Sequence, residues 1–159
     1  MSGQQPLALP ATIDPTWKVG IVAAQWHRDL LQPMIDVAVH TLVDAGLNAN
    51  YVTVHDAPGS FEIPLIGAAL MDDVDALIGF GILLQGETGH AELIAQSVTQ
   101  AMMQLQVTHK KPFAFEILHV QSLDQAKARA EGPHNKGFEA ARSVLISLAA
   151  LKRIASPSL

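Results

Sequence analysis

Apolar positions along this chain switch between two patterns, short mostly apolar runs and a recurrence every three or four residues. The runs at Lys18 to Gln25, Tyr51 to His55, Ala76 to Leu84 and Phe113 to Val120 predict strands. The third is apolar throughout, as expected for a strand covered by helices on both faces of a parallel sheet. Its Gly79 and Gly81 share one face, where a helix or ligand must come close. Between the runs, Leu31, Ile35, Ala38 and Leu42 recur at helical spacing, with Leu30 and Met34 beside them and Gly46 as a stop. Pro33 is expected in the first turns of that helix, where a missing N–H costs least. A second helix runs from Pro64 to about Met71, ended by Asp72 and Asp73. A third, from about Ala91 to Val107, carries Ile94, Val98, Ala101, Met102 and Leu105 on one stripe. Ser122 to Gln125 has the spacing of a capping box, which starts a helix bearing Arg129 near its end. The last helix, from about Lys136 to Leu151, repeats Phe138, Ala141, Leu145 and Leu148.

Strands alternating with helices predict an α/β fold: one parallel sheet, right-handed crossovers and helices on both sides. Residues 1–16 contain Pro6, Pro10 and Pro15 and no sustained period, and read as an extended or disordered arm. Residues 17–159 form one domain, without internal repeat or linker.

Composition narrows the function. A chain of 159 residues buries roughly 70% of its unfolded surface, enough for a core without staples. No cysteine is present, which excludes disulfides, thiolate metal sites and cysteine nucleophiles and fits a reducing compartment, so the cytoplasm is expected. Net charge is −5 and the basic residues are scattered apart from Lys110-Lys111, which argues against nucleic acid. Neither a signal peptide nor a run approaching the roughly 20 apolar residues of a membrane span is read. Hydrophobic residues make up 49% and aromatics 5%, so the surplus is aliphatic and can supply subunit contacts. The seven histidines form no i, i+4 pair and no H-E-x-x-H, so no metal is expected. Gly79-Phe80-Gly81 lacks the third glycine of a dinucleotide fingerprint.

The segment Gly81 to Glu92 is the richest in chemistry. An apolar run breaks into Gln85-Gly86-Glu87-Thr88-Gly89-His90 where a helix should begin. Glycines at 86 and 89 relax the backbone so that successive N–H groups can converge on an anion. Thr88 adds a hydroxyl and His90 a proton-transfer group. Ligands of such sheets bind beyond the carboxyl ends of the strands. Trp26-His27, Ser60 to Glu62, Gly86 to His90 and His119 all fall at that edge.

With these residues in view, the chain resembles the lumazine synthase family. The similarity runs from about Lys18 to Leu151 and rests on Pro58-Gly59-Ser60-Phe61-Glu62-Ile63-Pro64, Gly86-Glu87-Thr88-Gly89-His90, the Gln125 to Arg129 helix and Asn135-Lys136-Gly137. It implies a flavodoxin-like three-layer sandwich around a four-stranded parallel sheet. It also implies an arm that can add to a neighbour's sheet, and a homopentamer or a multiple of pentamers. The implied reaction joins 5-amino-6-(D-ribitylamino)uracil to 3,4-dihydroxy-2-butanone 4-phosphate. It yields 6,7-dimethyl-8-ribityllumazine, phosphate and water, with no cofactor. Such chemistry needs a histidine that titrates near neutrality and an anion clamp.

Position by position, the resemblance implies that Trp26 stacks on the pyrimidine and His27 helps bind it. Ser60, Phe61 and Glu62 would hold the ring and ribityl chain, and His90 would be the acid/base. Gly86, Glu87 and Thr88 would offer backbone N–H groups to the phosphate. Arg129 would grip that phosphate from the neighbouring subunit, Phe115 would pack over the ring from there, and Lys136 would support the phosphate side. Glu92 could orient the imidazole. Departures from the family's pattern are His27 for asparagine, Gln85 for arginine, Glu116 for glycine and His119 for threonine. Related alternatives are an archaeal-type riboflavin synthase-like enzyme and a non-catalytic flavin- or lumazine-binding paralogue.

Overall fold

The computed structural model describes residues 5–156. The first four residues of the expected arm and the last three of the chain lie outside them. Four strands, β1 (Val19–Ala24), β2 (Val52–Ala57), β3 (Ala76–Leu84) and β4 (Phe113–Val120), form one parallel sheet in the order β2-β1-β3-β4. Helices α1 (Arg28–Asp44), α4 (Leu123–Ala130) and α5 (Lys136–Ala155) cover one face. Helices α2 (Ile63–Leu70) and α3 (His90–His109) cover the other. This is the three-layer α/β arrangement expected from the sequence.

Every residue of β1 is buried, and β3 is buried from Ala76 to Ile82. The two central strands thus sit in the middle layer as the unbroken apolar runs require. Leu31, Met34, Ile35, Ala38 and Leu42 of α1 face Ala141, Leu145 and Leu148 of α5 and the sheet in one cluster. Each fully buried large side chain there contributes about 1.5–3 kcal/mol relative to exposure. On the other face, Gly79 admits Met102 and Ile63, whose side chains would lie 2.9 and 3.0 Å from a Cβ at that position.

Two expectations shift. Helix α1 begins at Arg28, earlier than its apolar stripe, so Pro33 lies beyond the first turn, inside the helix. The missing N–H there interrupts the helical ladder. The chain uses this region as a dock: Pro33 O accepts from Asn135 Nδ2 at 3.2 Å. A Cβ on Gly137 would come within 2.0 Å of Met34 O, so only glycine lets α5 approach α1 this closely. Asn135 also caps α5, its Oδ1 accepting from Gly137 N at 2.8 Å, and donates to Ala130 O at 2.6 Å. At α4 the capping box is shifted by one residue. Ser122 Oγ accepts from Gln125 N at 3.3 Å, but Gln125 Oε1 accepts from Gln121 N at 2.8 Å rather than from Ser122.

Residues 5–16 form no helix or strand. Leu9 and Ile13 nevertheless pack against the α1/α5 core, and the Leu7 carbonyl accepts from Arg142. Asp14 lies 3.5 Å from Lys152 Nζ. Its carboxyl is held below the usual range, first by hydrogen bonds from the Thr16 hydroxyl and N–H and then by Lys152.

Candidate active site

The carboxyl ends of the strands are drawn together by bonds that continue past the sheet. Gln25 N donates to Ala57 O at 2.7 Å and Trp26 N to Pro58 O at 3.3 Å, so the loops after β1 and β2 run side by side. Arg28 fixes the turn between them: Nη2 donates to Ala23 O at 2.9 Å and to Asp56 Oδ1 at 2.5 Å, and Nε to Ala24 O at 3.1 Å. His27, between Trp26 and Arg28, has φ 61° and ψ 30°, the left-handed region. Among residues with a Cβ, histidine, asparagine and aspartate tolerate that region best, which gives a physical reason for histidine at this position.

Beyond these ends lies a cavity of about 460 Å³. Trp26, Ser60, Phe61, Glu62 and His90 line it, together with the apolar Ile82, Leu83, Leu93 and Ile94. Trp26 is 74% exposed and Phe61 62% exposed, so neither is a core aromatic. Both present uncovered ring surface at the mouth. Ser60 is buried and nests over β3 at Gly81, where a Cβ would fall 2.3 Å from Ser60 Oγ. That hydroxyl is buried without a partner among the described residues. An orphaned buried hydroxyl is unfavourable unless something bonds it, and it sits in the cavity wall. Glu62 closes its own turn, Oε2 accepting from Gly59 N at 3.2 Å, so the carboxylate caps the turn before α2 rather than α2 itself.

His90 is the first residue of α3, one helical turn before Leu93 and Ile94. The preceding turn, Gly86 to Gly89, is exposed. Neither glycine has a positive φ, and a Cβ at either would meet nothing within 4 Å. Backbone freedom is therefore not what these glycines supply here. What they leave is open space above the backbone, through which a bulky anion can reach the N–H groups.

The other expected site residues lie apart from the cavity in a single chain. Phe115 is on the edge strand β4, opposite Gly79, and is 41% exposed. Arg129 is exposed on α4, its Nη1 donating to Gln125 O at 3.2 Å, within its own helix. Lys136 begins α5 and pairs with Glu139 at 2.9 Å. His27 does not line the cavity, nor do Gly86, Glu87 and Thr88. Among the described residues the lining thus contains one carboxylate and no lysine or arginine. Glu116, on the α5 face of β4, is partly buried beside Lys136 and Glu139. Burial raises its pKa to about 7, with Lys136 lowering it and Glu139 raising it further.

Three contributors were not anticipated. Leu93 and Ser97 extend the α3 wall below His90, at the three- and seven-residue spacings that place them on one helical face. Arg28 gave no signal, because its carbonyl partners are set by tertiary geometry. Among the described residues no group of three or more His, Asp or Glu side chains could hold a metal ion. No helix there is long and apolar enough to cross a membrane.

The family model for 6,7-dimethyl-8-ribityllumazine synthase matches residues 16–153. A 6,7-dimethyl-8-ribityllumazine synthase of Porphyromonas gingivalis is 38% identical over 140 residues, covering 86% of each chain. That of Cutibacterium acnes is 39% identical over 142 residues, 84% of this chain and 81% of its own. The Aquifex aeolicus enzyme is 34% identical over 131 residues, 80% of this chain and 85% of its own.

Proposed function

The chain belongs to the 6,7-dimethyl-8-ribityllumazine synthase family, riboflavin-biosynthesis transferases, and from that membership we propose how its residues divide the reaction between them. The substrates are 5-amino-6-(D-ribitylamino)uracil and 3,4-dihydroxy-2-butanone 4-phosphate. The amine attacks the ketone and water leaves, giving an imine. Loss of a proton next to the imine expels phosphate. After tautomerisation the ribityl-bearing nitrogen closes on the remaining carbonyl, and a second water leaves.

Each step moves a proton or releases an anion. His90, in the cavity wall at the start of α3, is the acid/base that moves those protons. Trp26 stacks on the pyrimidine, with His27 beside it. Ser60, Phe61 and Glu62 hold the ring and ribityl hydroxyls, and the unpartnered Ser60 hydroxyl is one donor waiting for them. The Gly86, Glu87 and Thr88 backbone receives the phosphate.

A single observation carries the rest: the cavity has an imidazole and exposed aromatic faces but no cation. A dianionic leaving group needs one. Arg129 and Lys136 of a neighbouring subunit supply it, and that subunit's Phe115 covers the ring. The assembly is a homopentamer or a multiple of it, working in the cytoplasm without a cofactor, with residues 1–16 as an arm that adds to the next subunit's sheet. Exposed Leu65, Leu93, Met103, Val107 and Ile154 give such an assembly apolar surface to bury. The test is absorbance-monitored product formation from the two substrates. Lumazine formed only when both are present is the expected result. Riboflavin formed from lumazine alone, or binding without turnover, would replace this reading with a riboflavin synthase-like enzyme or a carrier.

A further inference from the structure

A pair of side chains at the front of the Gly86 to Gly89 turn has no part in the roles above. His119, near the end of β4, stands opposite Leu83 of β3, and Gln85 follows β3 by one residue. By strand alternation both point to the sheet face that carries Ile117, Ser60 and α3. His119 Nε2 lies 2.5 Å from Gln85 Oε1. With the amide oxygen accepting, that ring nitrogen carries the proton.

Gln85 is held from two further sides. Its backbone N–H donates to Val120 O at 2.7 Å, and its Nε2 to Gly86 O at 3.4 Å. At the back of the turn, Leu93 N donates to Gly89 O at 3.0 Å. Between these anchors the turn has little to hold it. A Cβ at Gly86 or Gly89 would touch nothing within 4 Å, so side-chain packing does not fix the path there. The direction in which its N–H groups point therefore depends on how firmly the front anchor is set.

We propose that His119 is a positioning residue for the phosphate-binding turn: its hydrogen bond to Gln85 sets the orientation of the Gly86 to Thr88 backbone, and so the affinity for the phosphorylated substrate, without touching that substrate. The inference rests on the assignment of that turn to the butanone phosphate. His119 is exposed and belongs to no core cluster, so its replacement leaves the fold intact.

The experiment compares His119→Ala, Gln85→Ala, the double variant and His119→Gln with the wild type. Losing one ordinary hydrogen bond should raise the KM for the butanone phosphate about three- to tenfold, while kcat and the KM for the pyrimidine stay within about twofold. His119→Gln keeps a donor and should recover most of the loss. The double variant should be no worse than the poorer single one, because the two groups act as one unit. An unchanged KM in His119→Ala, an equal rise for both substrates, or additive losses would each overturn the proposal. Amide exchange gives a readout independent of activity: residues 86–89 should exchange faster in His119→Ala with the rest unaltered, and unaltered exchange there would also overturn it. A wild type that makes no lumazine would remove the assigned reaction, and the exchange measurement would still decide whether the tie exists.

Discussion

The two halves of the site are built differently. On the side of β1, β2 and α2, tight contacts place each group: Ser60 nests on Gly81, Trp26 lies against Gly59, and Arg28 locks the turn beneath them. On the side of α4 and the Gly86 to Gly89 turn, the groups are exposed, spread over separate elements and held by few bonds. The first half gathers around the cavity in one chain; Arg129 and Lys136 of the second lie outside its lining. The proposed shared site would have this form, a preformed cleft for the neutral ring whose charged complement arrives with assembly.

The sharpest way to probe that contrast is to remove the proposed proton carrier at the boundary of the two halves, His90 at the start of α3. His90→Ala should slow turnover by about a hundredfold to ten-thousandfold while the oligomer persists. Steady-state rates with light scattering on the same samples check both, and unchanged turnover would remove His90 from its role. Arg129→Ala should come next, raising the KM for the butanone phosphate by about tenfold or more and the KM for the pyrimidine far less. Equal effects would detach Arg129 from the phosphate.

Glycine replacements compare the packing of the two halves directly. Gly81→Ala forces a Cβ onto Ser60, at 2.3 Å from its hydroxyl, and should destabilise by about 1–3 kcal/mol. Gly86→Ala meets open space at a φ that is not positive, and should change stability by less than about 0.5 kcal/mol. Urea unfolding of both variants tests the pair, and similar losses would erase the distinction.

Glu116 gives a smaller, pH-dependent effect. Its carboxyl is raised from 4.5 to about 7 in the folded chain, mainly by burial. The folded state thus holds its proton more tightly than the unfolded state. Stability from this group is full below pH 4.5 and falls as pH rises toward 7. Glu116→Gln should remove that slope, so that its stability relative to wild type rises by on the order of 3 kcal/mol between pH 4 and pH 8. Parallel denaturation curves at both pH values would contradict the shift.

The same contrast separates what was legible in the sequence from what was not. Strands β3 and β4 fall at their expected bounds because their runs, unbroken in β3 and mostly apolar in β4, end at Gln85, Pro112 and Gln121. Helix α1 starts before its apolar stripe because Arg28 is recruited by strand carbonyls, a contact with no periodic signature. The short turn at Ser60–Glu62 leaves no repeat to read, yet its residues were found through their similarity to a family motif. The docking of Leu9 and Ile13 on the core was hidden by the prolines around them. Residues of the closed half could be placed by strand ends alone, whereas Phe115, Arg129 and Lys136 had only the family resemblance to connect them with the cleft.

Mixing the two impaired variants, assayed at butanone phosphate well below its KM, tests the shared cleft most directly. Co-assembled His90→Ala and Arg129→Ala chains in equal amounts should recover about a quarter of wild-type activity, since each site draws its imidazole and its guanidinium from different subunits at random. Mixed oligomers no more active than the average of the two parents would place both groups in one chain's site and contradict the account.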